Sequence, residues 1–422
     1  MKKILCAIAL VAVATGATAQ DKIVRKARSL KEEVQNLVAQ QDKKEKEVIE
    51  MQTKLQQCIE MIEPTLTSPE TKKELGNAWD IKAQLYKYKF SPLLDNVINK
   101  QPTDTAALAE YIYTSLDAME QCYKAELATG KELVYSKVNK IDVIRFRPYI
   151  AFCGQMFFQN GQHTKAADAF RRWLNYPQTY SILEGEESAD ETAQRPQIAY
   201  YTCLAAYFSK DYKTLSEFMP QAKKYTDEKD QVNQLWLTSL IEQGDTAAWL
   251  AAGKEIVLED PASNDGTAQN ILAYYFNKDN SAEAVKFTES LLASDPNSRL
   301  GNYAMGLVRM NAHKYAEAIT FFDKAVEADP AFSDAYYNAG VCYSNIGYDI
   351  NEAIAGKKLT QAQNNAEIAK VKAEYAKSEP YFLKVKELEP DNIMKWATRL
   401  RTVYFIIGNK AKEKEMNDLI GD

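Results

Sequence analysis

Three prolines, Pro261, Pro296 and Pro330, lie 35 and 34 residues apart, and the chain before each of them repeats one arrangement of apolar residues. A period of that length marks a supersecondary unit copied in tandem, and it fixes the architecture before any single element is assigned. The arrangement is clearest over 299–332. Leu300, Tyr303, Ala304, Leu307 and Val308 recur three and four apart, the spacing of one helix face. Asn311-Ala312-His313-Lys314 turns the chain. Tyr315, Ala318, Ile319, Phe322, Ala325 and Val326 then mark the inner face of a second helix. Asp329-Pro330 ends it, because proline cannot continue a helix and restricts the residue before it. The expected fold is therefore all-α, a superhelical solenoid of antiparallel helix hairpins.

These residues resemble the tetratricopeptide repeat, a helix–turn–helix unit of about 34 residues. With Arg299 as position 1, Gly306 falls at 8, Ala318 at 20, Phe322 at 24, Ala325 at 27 and Pro330 at 32. Small residues at 8 and 20 let the two helices approach, and the large residue at 24 is expected to fill the space toward the next hairpin. Ser333 opens another copy, with Tyr336, Gly340 and Tyr343 in register. Upstream, Gly154, Phe157, Ala166 and Phe170 fit a unit starting near Arg147, and a looser unit runs from about Pro196 to Asp230. Trp249 stands where a small residue is expected, so packing over 231–263 should be less regular. Three further segments, Ile59–Lys72, Asp245–Trp249 and Glu379–Phe382, resemble a family of exported tetratricopeptide proteins of Bacteroides-type bacteria.

From Ser333 to Pro390 the repeat is 26 residues too long. The excess lies at about 346–377, is free of proline and is rich in Ala, Lys and Glu. Both helices of that hairpin are expected to lengthen, with the bend near Gly356. The result is either a bare elaboration or an arm that meets a partner. Trp396, Leu400, Val403 and Ile407 form a last stripe, Gly408-Asn409 turns, and Lys410–Glu415 gives a polar capping helix, which a solenoid end needs. The expected organisation is a signal peptide at 1–19, irregular helical hairpins at 20–146, degenerate repeats at 147–298, and repeats plus cap at 299–422. Within 20–146, the charged stretch Gln41–Lys46 either turns the chain or lets one helix run through. Residues 178–195 carry Glu184, Glu186, Glu187, Asp190 and Glu191 and read as an acidic solvated loop.

Lys2 and Lys3 precede an apolar run from Ile4 to about Ala17, closed by the small-x-small pattern Ala17-Thr18-Ala19. This reads as an export signal cleaved before Gln20. The run is shorter than a membrane span. The expected product is soluble and periplasmic or secreted, with no membrane span. The 422-residue chain has a formal net charge of −6, and loss of the two lysines makes it −8. Such a balance disfavours a nucleic-acid partner, which needs a basic face. The cysteines beyond the signal, Cys58, Cys122, Cys153, Cys203 and Cys342, sit in apolar helical patterns without C-x-x-C spacing, and free core thiols are expected, with one disulfide such as Cys58–Cys122 as the alternative that an exported chain allows.

The sequence offers two histidines, His163 and His313, and none of the spacings that mark a zinc protease, a phosphate loop, a nucleophile elbow or a dinucleotide site. No catalytic residue, cofactor or metal ligand is assigned. What remains is surface. By the resemblance, repeat positions 2, 5, 6, 9, 12 and 13 line a groove, here Leu300, Tyr303, Leu307, Asp334, Tyr337, Asn338, Val341 and Asn345. Asn338 is the strongest candidate, since a carboxamide both donates to and accepts from an extended backbone. The basic set with which some relatives clamp a peptide carboxylate is missing at Tyr303 and Leu307. The leading expectation is a non-catalytic scaffold for a protein or peptide partner, in an envelope complex. The alternatives are a glycan-binding helical protein, for which 25 tyrosines supply stacking faces, and a purely structural spacer. Oligomeric state has no signal in the residues.

Overall fold

The structure, a computed structural model, describes residues 2–40, 44–68, 71 and 73–421, with side chains from residue 19 onward. The export-signal side chains, Cys6 among them, and residues 41–43 of the charged stretch lie outside the described residues. Every regular element among those described is helical, and the chain divides into two compact units, Met1–Ser239 and Leu240–Asp422. The expected block 147–298 is therefore split between two units and does not form one.

The first unit begins with α1 (Lys2–Ala39) and α2 (Glu45–Leu66), whose Val24, Ala27 and Val34 meet Leu55, Cys58 and Ile62 in one apolar cluster. Next come α3 (Leu75–Ile98), α4 (Thr105–Leu127) and α5 (Ser136–Phe146). Glu126, near the end of α4, organises the start of α5. Its carboxylate accepts the amides of Val134, Tyr135 and Ser136 at 2.8, 3.0 and 2.9 Å and the Ser136 hydroxyl at 2.5 Å. Those amides have no partner inside α5, so a side chain from another helix supplies the missing acceptor. The repeat-like hairpins follow: α6 (Pro148–Gln159) with α7 (His163–Leu174), then, after the short α8 (Tyr176–Thr179), α9 (Ala189–Phe208) with α10 (Tyr212–Ala222).

The acidic stretch between α7 and α9 exposes Glu184, Glu186 and Asp190 to solvent, as its composition suggests, but is anchored from beneath. Tyr180, Ile182 and Leu183 are buried, and Glu120 of α4 accepts the Ile182 amide at 3.0 Å. Four of the five carboxylates have a cation: Glu184 and Glu186 take Lys140, Glu187 takes Arg195, and Glu191 takes the buried Arg147 at 2.6 Å. Glu191 also closes a capping box with Ser188 at the start of α9. The sequence carries the acids together with one base, Arg195, while Lys140 and Arg147 come from up to 46 residues away.

α11 (Lys229–Gln243) spans the division between the units. The second unit continues with α12 (Thr246–Glu259), α13 (Asp265–Asn277) and α14 (Ser281–Ser294). The regular hairpin is α15 (Arg299–Asn311) with α16 (Tyr315–Ala328), the long one α17 (Ser333–Ile354) with α18 (Gln361–Leu388), and the last α19 (Ile393–Ile407) with α20 (Lys410–Ile420). Ser298 caps α15 by accepting the Gly301 amide at 3.1 Å. Ser298→Ala should lower the stability of this unit by about 1 kcal/mol, read from the urea midpoint, as loss of such a cap does.

The repeat logic is visible at three glycines. A Cβ added to Gly154, Gly306 or Gly340 would meet the ring of Phe170, Phe322 or Phe382 at 2.7, 2.5 and 2.8 Å respectively. The phenylalanine at position 24 thus lies on the glycine at position 8 of its own hairpin. It also fills space toward the next hairpin, as expected: Phe322 packs with Ala335, Ala339 and Cys342 of α17, and Phe170 stacks on Tyr201 of α9. In the long hairpin the same pairing survives the insertion, and Gly347 repeats it one step farther out, against Tyr375 at 2.8 Å. Both helices lengthened as expected: α17 has 22 residues and α18 has 28, against 13 and 14 in α15 and α16. The bend falls at 355–360, where Gly356 has φ +77°.

The five described cysteines are free and buried. Burial pushes the Cys58 thiol up to about 11 and those of Cys153, Cys203 and Cys342 to about 12, so at neutral pH they are inert protonated packing groups.

Candidate binding surfaces

The residues expected to line a groove fall on α15 and α17, the first helices of consecutive hairpins. Leu300 and Tyr303 are buried, at 2% and 4% exposure, and are packing residues that present no face to a partner. Leu307, Asp334, Tyr337, Asn338, Val341 and Asn345 are half-buried. Several are joined across the hairpins. Asn338 Nδ2 donates to Tyr303 Oη at 3.0 Å. Lys395 Nζ donates to Asp334 at 2.7 Å and to Glu389 at 2.6 Å. Arg399 Nε donates to Tyr337 Oη at 3.0 Å, and its guanidinium lies 5.4 Å from the Tyr337 ring.

This ladder ties α15 to α17 and α17 to α19, and it sets the charges there. Hydrogen bonds from Lys395 hold the Glu389 carboxyl down to about 2. Burial depresses the Lys395 ammonium, but hydrogen bonds to Asp334 and Glu389 outweigh it, so its pKa is raised. Lys395 and Arg399 were not among the expected site residues. They sit four apart on α19, so they share the face that meets α17, a spacing the sequence does display. Asn338 retains its carboxamide oxygen and one N–H for a ligand after bonding Tyr303.

A more open surface lies in the first unit, between α6 and α9. A cleft of about 470 Å³ is lined by Phe152, Gln155 and Gln159 from α6 and by Gln194, Gln197 and Tyr201 from α9, with Phe170 of α7 among its apolar lining. Residues 152, 155 and 159 recur on one helix face, as do 194, 197 and 201. The Tyr201 and Phe170 rings stack with centroids 6.1 Å apart. Gln197 Nε2 donates to Tyr225 Oη at 3.2 Å, while Gln155, Gln159 and Gln194 are exposed at the cleft mouth. No charged side chain lines it. Counting Arg147 as position 1, Phe152, Gln155 and Gln159 are at positions 6, 9 and 13, the groove positions already used for the later repeats. The signal was present and was applied only to the most regular units.

The histidines are held by aromatic neighbours. His163 stacks on Phe208 with centroids 4.9 Å apart, and His313 Nδ1 lies 2.8 Å from Tyr315 Oη.

Comparison with known families matches residues 301–332 and 321–355 to the tetratricopeptide repeat. The chain carries tetratricopeptide repeats. The matched segments cover most of α15 and all of α16 and α17, where the Gly306–Phe322 contact and the Tyr303–Asn338 hydrogen bond lie. No curated protein matches the chain. Among solved structures, MamA is 16% identical over 46% of this chain and 90% of its own, with a TM-score of 0.31. The C-terminal part of a TPR repeat-containing protein from Cytophaga hutchinsonii is 14% identical over 62% of this chain and 97% of its own, with a TM-score of 0.30. The TPR2AB domain of yeast Sti1, in complex with pHSP90, is 13% identical over 77% and 99%, with a TM-score of 0.25. Overlap this partial says nothing about a ligand. No helix among the described residues is long and apolar enough to cross a membrane.

Proposed function

We propose that this chain is a non-catalytic scaffold that binds a protein partner along the first helices of its second unit, outside the cytoplasm and within an envelope complex. The observation that carries the reading is the ladder joining Tyr303 to Asn338, Asp334 to Lys395 and Tyr337 to Arg399. It fixes α15, α17 and α19 in register and leaves half-buried Leu307, Tyr337, Asn338 and Val341 as a preorganised strip. Preorganisation lowers the ordering cost of binding, which is where a rigid helical surface gains over a flexible one. The matched tetratricopeptide repeats fall on this part of the chain. An address outside the cytoplasm is supported by Lys2-Lys3, the apolar run to Ala17 and the Ala17-Thr18-Ala19 end, which place the mature start at Gln20.

The test is affinity isolation of the exported chain after crosslinking in the cell. One protein should be recovered specifically, and the Tyr337→Ala/Asn338→Ala double variant should reduce its recovery by about tenfold, the scale of losing one central aromatic contact. Equal recovery by the variant would remove the strip from consideration. Recovery of the partner from the cytoplasmic fraction alone would overturn the address.

A further inference from the structure

We infer that the cleft between α6 and α9 is a binding site for a neutral oligosaccharide, separate from the protein-binding strip. The chemistry of the lining selects the ligand. Ten residues line the cleft, four of them carboxamides and four of them aromatic rings, and none carries a charge. That is unusual for a chain of net charge −6. Clefts elsewhere are charged: one is lined by Lys314, Glu317 and Asp349, another by Asp295 and Arg299, a third by Asp323 and Glu327. A ligand matched to the α6–α9 cleft therefore brings no ionic group into it.

A carboxamide holds a planar donor and acceptor side by side, and a pair of neighbouring sugar hydroxyls offers the complementary acceptor and donor. Gln155 and Gln159 on one wall face toward the same cleft as Gln194 and Gln197 on the other, so such pairs are available at both edges of a ring. Between them, Phe152 and Tyr201 offer flat apolar faces suited to the C–H face of a pyranose, and the Phe170 stack steadies Tyr201. The Tyr225 hydroxyl takes one Gln197 N–H, which orients that carboxamide and leaves its oxygen for the ligand. Size points the same way. A volume of about 470 Å³ lies in the range of small-ligand pockets, and ten lining residues fall well short of the 20–30 a side of a protein interface. An extended peptide is the competing occupant, and it would bring termini and charged side chains that nothing here answers.

The experiment titrates the full chain by calorimetry with neutral gluco-, manno- and xylo-configured oligosaccharides, and in parallel with end-capped serine- and glutamine-rich peptides. At least one oligosaccharide should bind saturably. Gln155→Ala/Gln194→Ala should weaken it by about tenfold or more, as expected for losing two hydrogen-bonding groups. Both side chains are exposed, so the variant keeps the fold, which circular dichroism checks. Tyr337→Ala/Asn338→Ala, which tests the strip, should leave sugar binding unchanged. The proposal is overturned by sugar binding that the glutamine variant leaves intact, by capped peptides binding where sugars do not, or by no sugar binding at all. None of these outcomes bears on the strip in the second unit.

Discussion

Replacing Phe322 with alanine should cost the second unit about 3–5 kcal/mol of unfolding free energy, the range for emptying a fully buried phenylalanine site. Phe322 is fully buried, with Tyr303 at 5.8 Å between ring centroids and Ala318, Ala325 and Ala339 in the same cluster. The cavity would open where the ring lies directly on the Gly306 backbone of the facing helix. The same seam can be stressed from the opposite side. In Gly306→Ala the new methyl would sit 2.5 Å from the Phe322 ring, and the forced shift should cost about 1–3 kcal/mol. Combining Gly306→Ala with Phe322→Leu should recover part of the loss, because the two changes share one volume. Urea unfolding of the full chain reads all three. A loss below about 1 kcal/mol for Phe322→Ala would mean that the ring is not the keystone of its hairpin.

Glu126→Ala should destabilise the first unit by about 3 kcal/mol, since three backbone amides and a hydroxyl lose their acceptor and a buried unsatisfied donor costs about 1–3 kcal/mol. Glu126 is buried, with 7% of the residue exposed, so water does not replace it readily. Protonation should mimic the substitution in part. Burial alone would push this carboxyl up, but the Ser136 hydroxyl and the amides of Tyr135, Val134 and Ser136 outweigh it, so its pKa falls below the ordinary value. A depressed carboxylate pKa contributes stability that is complete above the unfolded value of about 4.3 and lost as pH falls through the folded one. The gap between wild type and Glu126→Gln should therefore be constant near neutrality and close in acid. A gap that persists at the lowest pH would assign the effect to packing and not to charge.

The hairpins of the second unit were legible because their positions carry opposite requirements: glycine at 306 and 340, a large ring at 322 and 382. Even the 26-residue insertion could be placed, since proline-free Ala, Lys and Glu leave a helix little alternative. The pinned acidic segment was not legible. Two of its bases, Lys140 and Arg147, are recruited by tertiary packing from outside the segment, and local composition is silent about them. The proposed strip was half legible. Helical spacing put Tyr303 and Asn338 on adjacent helices, but only coordinates reveal that they bond each other and that Tyr303 is thereby withdrawn from the surface. The α6–α9 cleft was missed for a different reason: the groove positions fit the unit from Arg147, yet its weaker repeat pattern drew no attention to Phe152, Gln155 and Gln159.

The long hairpin has a built-in unit of length. Gly340 faces Phe382 and Gly347 faces Tyr375, each step outward along the arm moving seven residues forward on one helix and seven back on the other. The next step along that register falls at Ile354 and Ile368. Seven residues are close to two helical turns, so every step returns to the same side of both helices. The arm can therefore be shortened or extended in matched increments of seven per helix without disturbing what lies at its base. An increment far from a whole number of turns would rotate the seam away from its partner. Gene-level insertions and deletions here should survive chiefly in such near-integral steps, of which seven is the shortest the seam displays, which makes the arm a graduated ruler whose reach can be reset while its anchorage stays fixed.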